Sequence, residues 1–163
     1  MISKAHKDEG SDVGAICLGE LLIDLVALQK GKSLAEASGF VKAAGGAPAN
    51  VAVGLARLSV ETALISKVGK DEFGYFLRET LRKNHVNVDA VRQEARYPTG
   101  LAFVSLSGRG ERDFLFYRNP CADAMLQPKD VPSRLFSKAR RKGDVRATFQ
   151  PKNSFRDQEL PVR

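Results

Sequence analysis

Residues 45–52, Gly-Gly-Ala-Pro-Ala-Asn-Val-Ala, constrain the fold of this 163-residue chain more than any other stretch. The adjacent glycines Gly45 and Gly46 let the backbone approach another group with no Cβ in the way. Pro48 suits the first turn of a helix, where its missing N–H has no intrahelical partner to lose. Asn50 falls inside that turn, beside free N–H groups and the partial positive charge of a helix start. Such a place binds polar oxygens. The run Asn50–Leu58 reads as the helix itself, with Val51, Leu55 and Leu58 on one face. The chain therefore carries a ligand-binding turn between an extended segment and a helix.

The flanking pattern predicts an α/β fold. Residues 13–28, VGAICLGELLIDLVAL, give a buried strand, a break at Gly19-Glu20 and a second apolar run. A loop follows, and FVKAAGG leads into the turn. Residues 61–69, ETALISKVG, read as a buried strand. Asp71 is placed to cap a helix from Glu72 to Lys83, whose Phe73, Phe76, Leu77 and Leu81 keep helical spacing. HVNVDAVRQ (85–93) reads as one short strand. Residues 99–118 alternate on either side of SGRGE, which predicts a β-hairpin. Strands alternating with helices, with a hairpin branching off, predict an α/β sheet carrying a small β flap.

Length allows one domain, and 43% hydrophobic residues suit a packed core. Two cysteines, Cys17 and Cys121, argue against a disulfide framework, and Cys17 reads as a small buried hydrophobe. No apolar run approaches the roughly 20 residues of a membrane span. Residues 1–12 mix acids with bases and lack an apolar core, unlike a secretory signal; they read as a disordered lead-in to a cytoplasmic protein. The net charge of +7 is concentrated at one end: residues 133–163 hold nine Lys+Arg and three Asp+Glu, leaving 17 bases against 16 acids before them. That distribution argues against nucleic acid as a partner of the globular part. A solvated charge run is the plain reading of Arg140-Arg141-Lys142, with nucleic-acid contact the alternative.

Seven positions between Gly45 and Gly69 carry a family resemblance: Gly45, Gly46, Pro48, Asn50, Ala52, Ser59 and Gly69. This pattern resembles the N-terminal signature of the pfkB-type carbohydrate kinases, in the ribokinase-like superfamily. CLGELLIDLV, SKVGKDEFGYFL and RDFLFYRNPCADAML resemble the plant-type fructokinases in particular. The resemblance spans roughly Val13 to Val131. It implies the N-terminal part of a three-layer α/β/α sandwich with a small β lid, the C-terminal half being missing. The expected organisation is a lead-in (1–12), a truncated kinase domain with lid (13–132) and a basic divergent tail (133–163) that is disordered.

The resemblance also implies a sugar site. Asp24 is placed to accept hydrogen bonds from vicinal hydroxyls, since a carboxylate takes two at once; the plain alternative is a strand-edge carboxylate facing water. Gly45, Gly46 and Asn50 would contact hydroxyls through backbone N–H and side-chain amide. Arg118, ending the hairpin, resembles an arginine that relatives bring to the substrate from the lid, or else is a solvated charge. Thr99 and Gly100 would line the same pocket. Two segments are decoys. Gly31-Lys32-Ser33 lacks the earlier glycine of a phosphate loop, that place being Val26. Gly143-Asp144 follows Arg141-Lys142 and not the Gly-Ala of the family's catalytic turn. His6 and His85 are isolated, and no cluster has metal-ligand spacing.

For fructokinases the resemblance implies transfer of the γ-phosphoryl group of ATP, with Mg²⁺, to D-fructose. No catalytic, nucleotide-binding or metal-binding residue is assigned, because those segments belong to the family's C-terminal half. The expectation is a fructokinase-like chain inactive alone. The alternative is a non-catalytic sugar-binding or regulatory partner that forms a homo- or hetero-dimer through the lid.

Overall fold

All eight residues of β4 (Thr62–Gly69) are buried, as befits the strand around which the core is built. In a computed structural model, which describes residues 13–137, β4 lies parallel to β1 (Ala15–Leu18) on one side. On the other side it pairs with the short parallel strands β5 (Val86–Asn87) and β6 (Val91–Glu94). A strand buried on both faces has no polar side to show, which is why TALISKVG reads as a near-continuous apolar run. The segment expected as one short strand is two, because a turn in which Asp89 N–H donates to Asn87 Oδ1 (2.9 Å) separates them.

One face of this sheet is covered by α1 (Ala47–Arg57) and α2 (Glu72–Lys83), packed over Leu64 and Val68. The α1 face differs from expectation. Of the expected face only Leu55 packs against the core; Val51 and Leu58 are 51% and 76% exposed, and Pro48, Ala49 and Ala52 are the buried residues. Small residues let the helix axis lie close to β1 and β4, so the most buried positions are Pro48, Ala49 and Ala52, with Leu55 packed beside them. In α2 the expected stripe holds: Leu77 and Leu81 are buried, with Phe73 and Phe76 against them. Each fully buried leucine stabilises the fold by ~1.5–3 kcal/mol.

The opposite face, bearing Ile16, Ala63 and Ile65, is covered by residues after the hairpin. Two 3₁₀ turns (Asp123–Met125, Pro128–Asp130) lead to a short α3 (Ser133–Ser137), whose Leu135 is buried on this face. The start of the expected disordered tail is therefore helical through Ser137; residues 138–163 and 1–12 lie outside the described residues. Lys67 fastens this cover. Its Nζ donates to Met125 O (3.0 Å) and pairs with Asp130 at 2.8 Å, the side chains being 8% and 14% exposed. Although desolvation pushes it up, the Asp130 carboxyl is held below its ordinary value by Lys67 and the Gln127 N–H. Removing one partner of a fully buried pair costs about 3–5 kcal/mol. Asp130 keeps some water, so Lys67→Met is expected to lower stability by about 2 kcal/mol, read from the urea midpoint.

The flap is larger than the sequence reading gave. It is a four-stranded sheet, ordered β3-β2-β7-β8. β2 (Leu22–Ala27) pairs antiparallel with β3 (Phe40–Gly45) and parallel with β7 (Leu101–Leu106), which forms the hairpin with β8 (Arg112–Tyr117). One face packs on the core through Ile23, Leu25, Ala44 and Leu101. On that same face Lys42 Nζ sits 3.9 Å from the Phe76 ring centroid, a cation–π contact between lid and α2. Among the described residues no helix is long and apolar enough to cross a membrane.

Candidate sugar site

The register of the lid sheet sets the outer face. Asp24 pairs with Ala43 and Ala102, and Ala102 with Phe116. Side chains paired across strands share a face, so Asp24 stands on the outer face among small and aromatic residues. It lies inside β2. Gly45 is the diagonal neighbour, and a Cβ there would meet Asp24 Cγ at 2.5 Å. The carboxylate therefore occupies the space that a side chain at 45 would fill. Burial, then the charge of Glu20, pushes the Asp24 carboxyl up, with Arg112 opposing.

Gly46 has φ 106, a conformation that favours glycine, and a Cβ there would meet Glu20 O at 2.5 Å. It is the N-cap of α1 and, having no side chain, caps nothing. Glu20 supplies the acceptor: its Oε1 takes the Ala47 N–H at 3.2 Å. Asn50 follows one turn later, its backbone N–H donating to Gly46 O (2.9 Å) and its side chain exposed. Its amide makes no hydrogen bond to the described residues, so it is open to a ligand.

Arg118 leaves β8 and turns inward. Its Nη1 donates to Glu20 Oε2 at 2.9 Å and its Nη2 pairs with Asp123 Oδ2. Only 23% exposed, it is not the solvated strand-end charge that sequence left as an alternative. Asp123 is almost wholly buried, and its other oxygen accepts from Cys121 Sγ at 2.8 Å. Burial pushes the Asp123 carboxyl up, against the pull of Arg118. Burial, with Asp123 beside it, also pushes the Cys121 thiol up to about 11, so the thiol stays protonated as a donor. Asp24, Gly45, Gly46 and Arg118 are thus brought together, and Glu20 is the member that sequence reasoning missed. Its only signal was its place in the Gly19-Glu20 break between two strands.

Thr99 does not line this cluster. It is 3% exposed, its hydroxyl donates to Asp71 Oδ1 (2.7 Å), and its own N–H donates to Asp71 Oδ2 (2.8 Å). Thr99 Oγ1 accepts the Gly69 N–H at 3.0 Å. A Cβ on Gly69 would meet Thr99 N at 2.5 Å, so the last glycine of the signature serves this knot and not a ligand. Gly100 packs under Arg118, Cys121 and Asp123. The Gly31-Lys32-Ser33 segment is unfit for phosphate: Ser33 N–H and Oγ both donate to Glu36, and Lys32 pairs with Glu36. His6, Arg140-Arg141-Lys142 and Gly143-Asp144 lie outside the described residues. Among the described residues no group of three His, Cys, Asp or Glu is placed to hold a metal ion.

The profile of the pfkB family carbohydrate kinases matches residues 14–141. The chain belongs to this family. The match runs past Val131, where the resemblance in the sequence stops. The chain is 53% identical over 125 residues to the probable chloroplastic fructokinase-6 of Arabidopsis thaliana, covering 77% of this chain and 33% of that protein. It is 47% identical to the fructokinase of Solanum tuberosum, covering 77% and 39%. Among solved structures, a sugar kinase from Pyrococcus horikoshii superposes with a TM-score of 0.71 at 40% identity, covering 77% of this chain and 40% of that one. The fructokinase of Xylella fastidiosa superposes with 0.69 at 38% identity, covering 78% and 39%. The chain thus spans somewhat over a third of the length of the relatives it matches. Over this part of their length the chain is similar to fructokinases, and it carries part of the sugar-kinase fold.

Proposed function

We propose that the chain carries the sugar-binding side of a kinase transferring the γ-phosphoryl group of ATP to D-fructose, giving fructose 6-phosphate. The observation that carries this reading is the seating of the Asp24 carboxylate over Gly45, beside the Gly46–Asn50 turn. A carboxylate whose two oxygens accept no hydrogen bond from the described residues and an open Asn amide suit adjacent hydroxyls of a neutral polyol. In this reading Asp24, Gly45, Gly46, Asn50 and Arg118 contact or flank the sugar. ATP and Mg²⁺ would supply the phosphoryl group and its charge neutralisation. Among the described residues no group of three His, Cys, Asp or Glu is placed to hold the metal ion.

The 163 residues alone are expected to turn over no sugar. Loss of an anion-hole donor costs ~10²–10³ in rate and loss of a general base ~10²–10⁴. A coupled assay with fructose, ATP and Mg²⁺ tests this, beside the Solanum tuberosum fructokinase. Turnover by this chain contradicts it.

A second reading, a non-catalytic partner that docks through the lid, is favoured by β8. All six of its residues are exposed, and Phe114 and Phe116 stack at 5.7 Å on the outer face. Co-purification with a full-length fructokinase tests it, and a monomer in the presence of that kinase counts against it. The cytoplasmic site expected from the sequence belongs to the same proposal, a plastid being the alternative to exclude by imaging a tagged chain.

A further inference from the structure

We infer that Glu20 is a positioning residue that ties the sugar-binding turn to the lid, through Arg118. The inference rests on the sugar-site reading above and adds to it a residue with no assigned role.

Glu20 lies on the three-residue link between β1 of the core sheet and β2 of the lid sheet. The link is fixed from below, since Gly19 N–H donates to Ile65 O (3.1 Å) and Ser66 Oγ donates to Gly19 O (2.7 Å). From that anchored base the carboxylate spans two elements. One oxygen accepts from Ala47, the residue directly after Gly46, which no side chain of Gly46 can cap. The other accepts from Arg118, the residue directly after lid strand β8. The partners lie 27 and 98 residues away in the chain, so both contacts exist only in the folded protein. Arg118 is held on its far side by Asp123, itself held by Cys121. Arg118 Nε is buried and has no hydrogen-bond partner among the described residues, so the guanidinium is held through its Nη atoms by the two carboxylates, with the Cys121 sulfur beside it.

The consequence is mechanical. The turn that presents Gly45, Gly46 and Asn50 cannot shift relative to the end of β8 without breaking a charge-assisted bond at Glu20, and such bonds are about twice as strong as neutral ones. Glutamine at 20 keeps the shape and one acceptor oxygen but loses the charge that serves both donors. Arg118 then keeps Asp123, so Glu20→Gln leaves the buried carboxylate paired and the fold standing.

The test uses the 163-residue chain, ¹⁵N-labelled, titrated with D-fructose. Glu20→Gln is expected to weaken fructose binding about tenfold, with the melting temperature little changed. Arg118→Lys is expected to weaken it similarly, and the double variant no further. A second readout needs no sugar. Arg118→Lys should move the amide resonance of Ala47, and should fail to move it in the Glu20→Gln background. Fructose binding unchanged by Glu20→Gln, or additive effects of the two substitutions, overturns the inference and leaves the sugar site intact. A folded wild-type chain that ignores fructose overturns the sugar-site reading. The link between lid and turn then stands or falls on the Ala47 resonance alone.

Discussion

Asp24→Ala is expected to weaken fructose binding about 100-fold while leaving the protein as stable as before, or slightly more so. Two hydrogen bonds to a charged acceptor contribute ~1.5–3 kcal/mol each. Losing roughly 3 kcal/mol of binding corresponds to a factor of more than 100 in affinity. The stability half of the prediction follows from the raised Asp24 pKa. A carboxyl whose pKa is higher folded than unfolded contributes stability below its unfolded value, and loses it as pH rises through the folded value. At neutral pH the ionised Asp24 is therefore a cost to the fold, which the proposed contact with the sugar would account for. Residues that only build structure show the opposite pairing of effects. Wild-type affinity should also fall on acidification at a pH above 3.8, the ordinary aspartate value, as Asp24 takes up its proton. Calorimetric titration across pH, beside thermal melts of both proteins, checks each part.

Asp71→Ala has the largest expected effect on stability, a loss of about 3 kcal/mol. Asp71 Oδ1 accepts the Gly74 N–H at 2.7 Å, capping α2. The same carboxylate accepts the hydroxyl and the N–H of Thr99, which in turn takes the Gly69 N–H. An N-cap contributes ~0.5–2 kcal/mol, and the bonds to Thr99 leave donors unsatisfied when the carboxylate goes. Burial raises the Asp71 pKa, but the bonds from Thr99 and Gly74 outweigh it and hold the carboxyl below 3.8. For a depressed carboxyl the stabilisation is present above the unfolded value and lost as pH falls through the folded one. The gap between wild type and Asp71→Ala should therefore be full at neutral pH and close on acidification below 3.8. Asp71→Asn keeps a cap and should cost about 1 kcal/mol, with that pH dependence gone. Urea denaturation at several pH values measures all three proteins.

Much of this architecture was legible in the residues. The Asp71 cap, the α2 stripe and the buried β4 each follow from local chemistry that the tertiary structure does not override. The α1 face was not legible, because periodicity was read from Val51 and Leu58 whereas the contact is made by Pro48, Ala49 and Ala52. Alanine marks a close approach but carries little hydrophobic signal. The lid was read as a hairpin because the pairing of β2 with β7 joins segments far apart in sequence, which no local pattern reports. The turn at Gly45-Gly46 leading into a helix was legible, and its proposed role as a ligand site with Asp24 rests on the family resemblance. Their direct contact was not legible, since a glycine's reason lies in the atoms that fill its missing side chain. Glu20 escaped for the same reason: both its partners are brought to it by the fold.

The measurement that tests the sugar site most directly is a nucleotide-free titration of the ¹⁵N-labelled chain with D-fructose, followed residue by residue. The amides of Asp24, Gly45, Gly46 and Asn50 are expected to shift together and saturably, and the response is expected to vanish in Asp24→Ala. A folded chain whose spectrum is unmoved by fructose, or whose shifts fall away from the Gly45–Asn50 turn, contradicts the assignment of a sugar site to this turn.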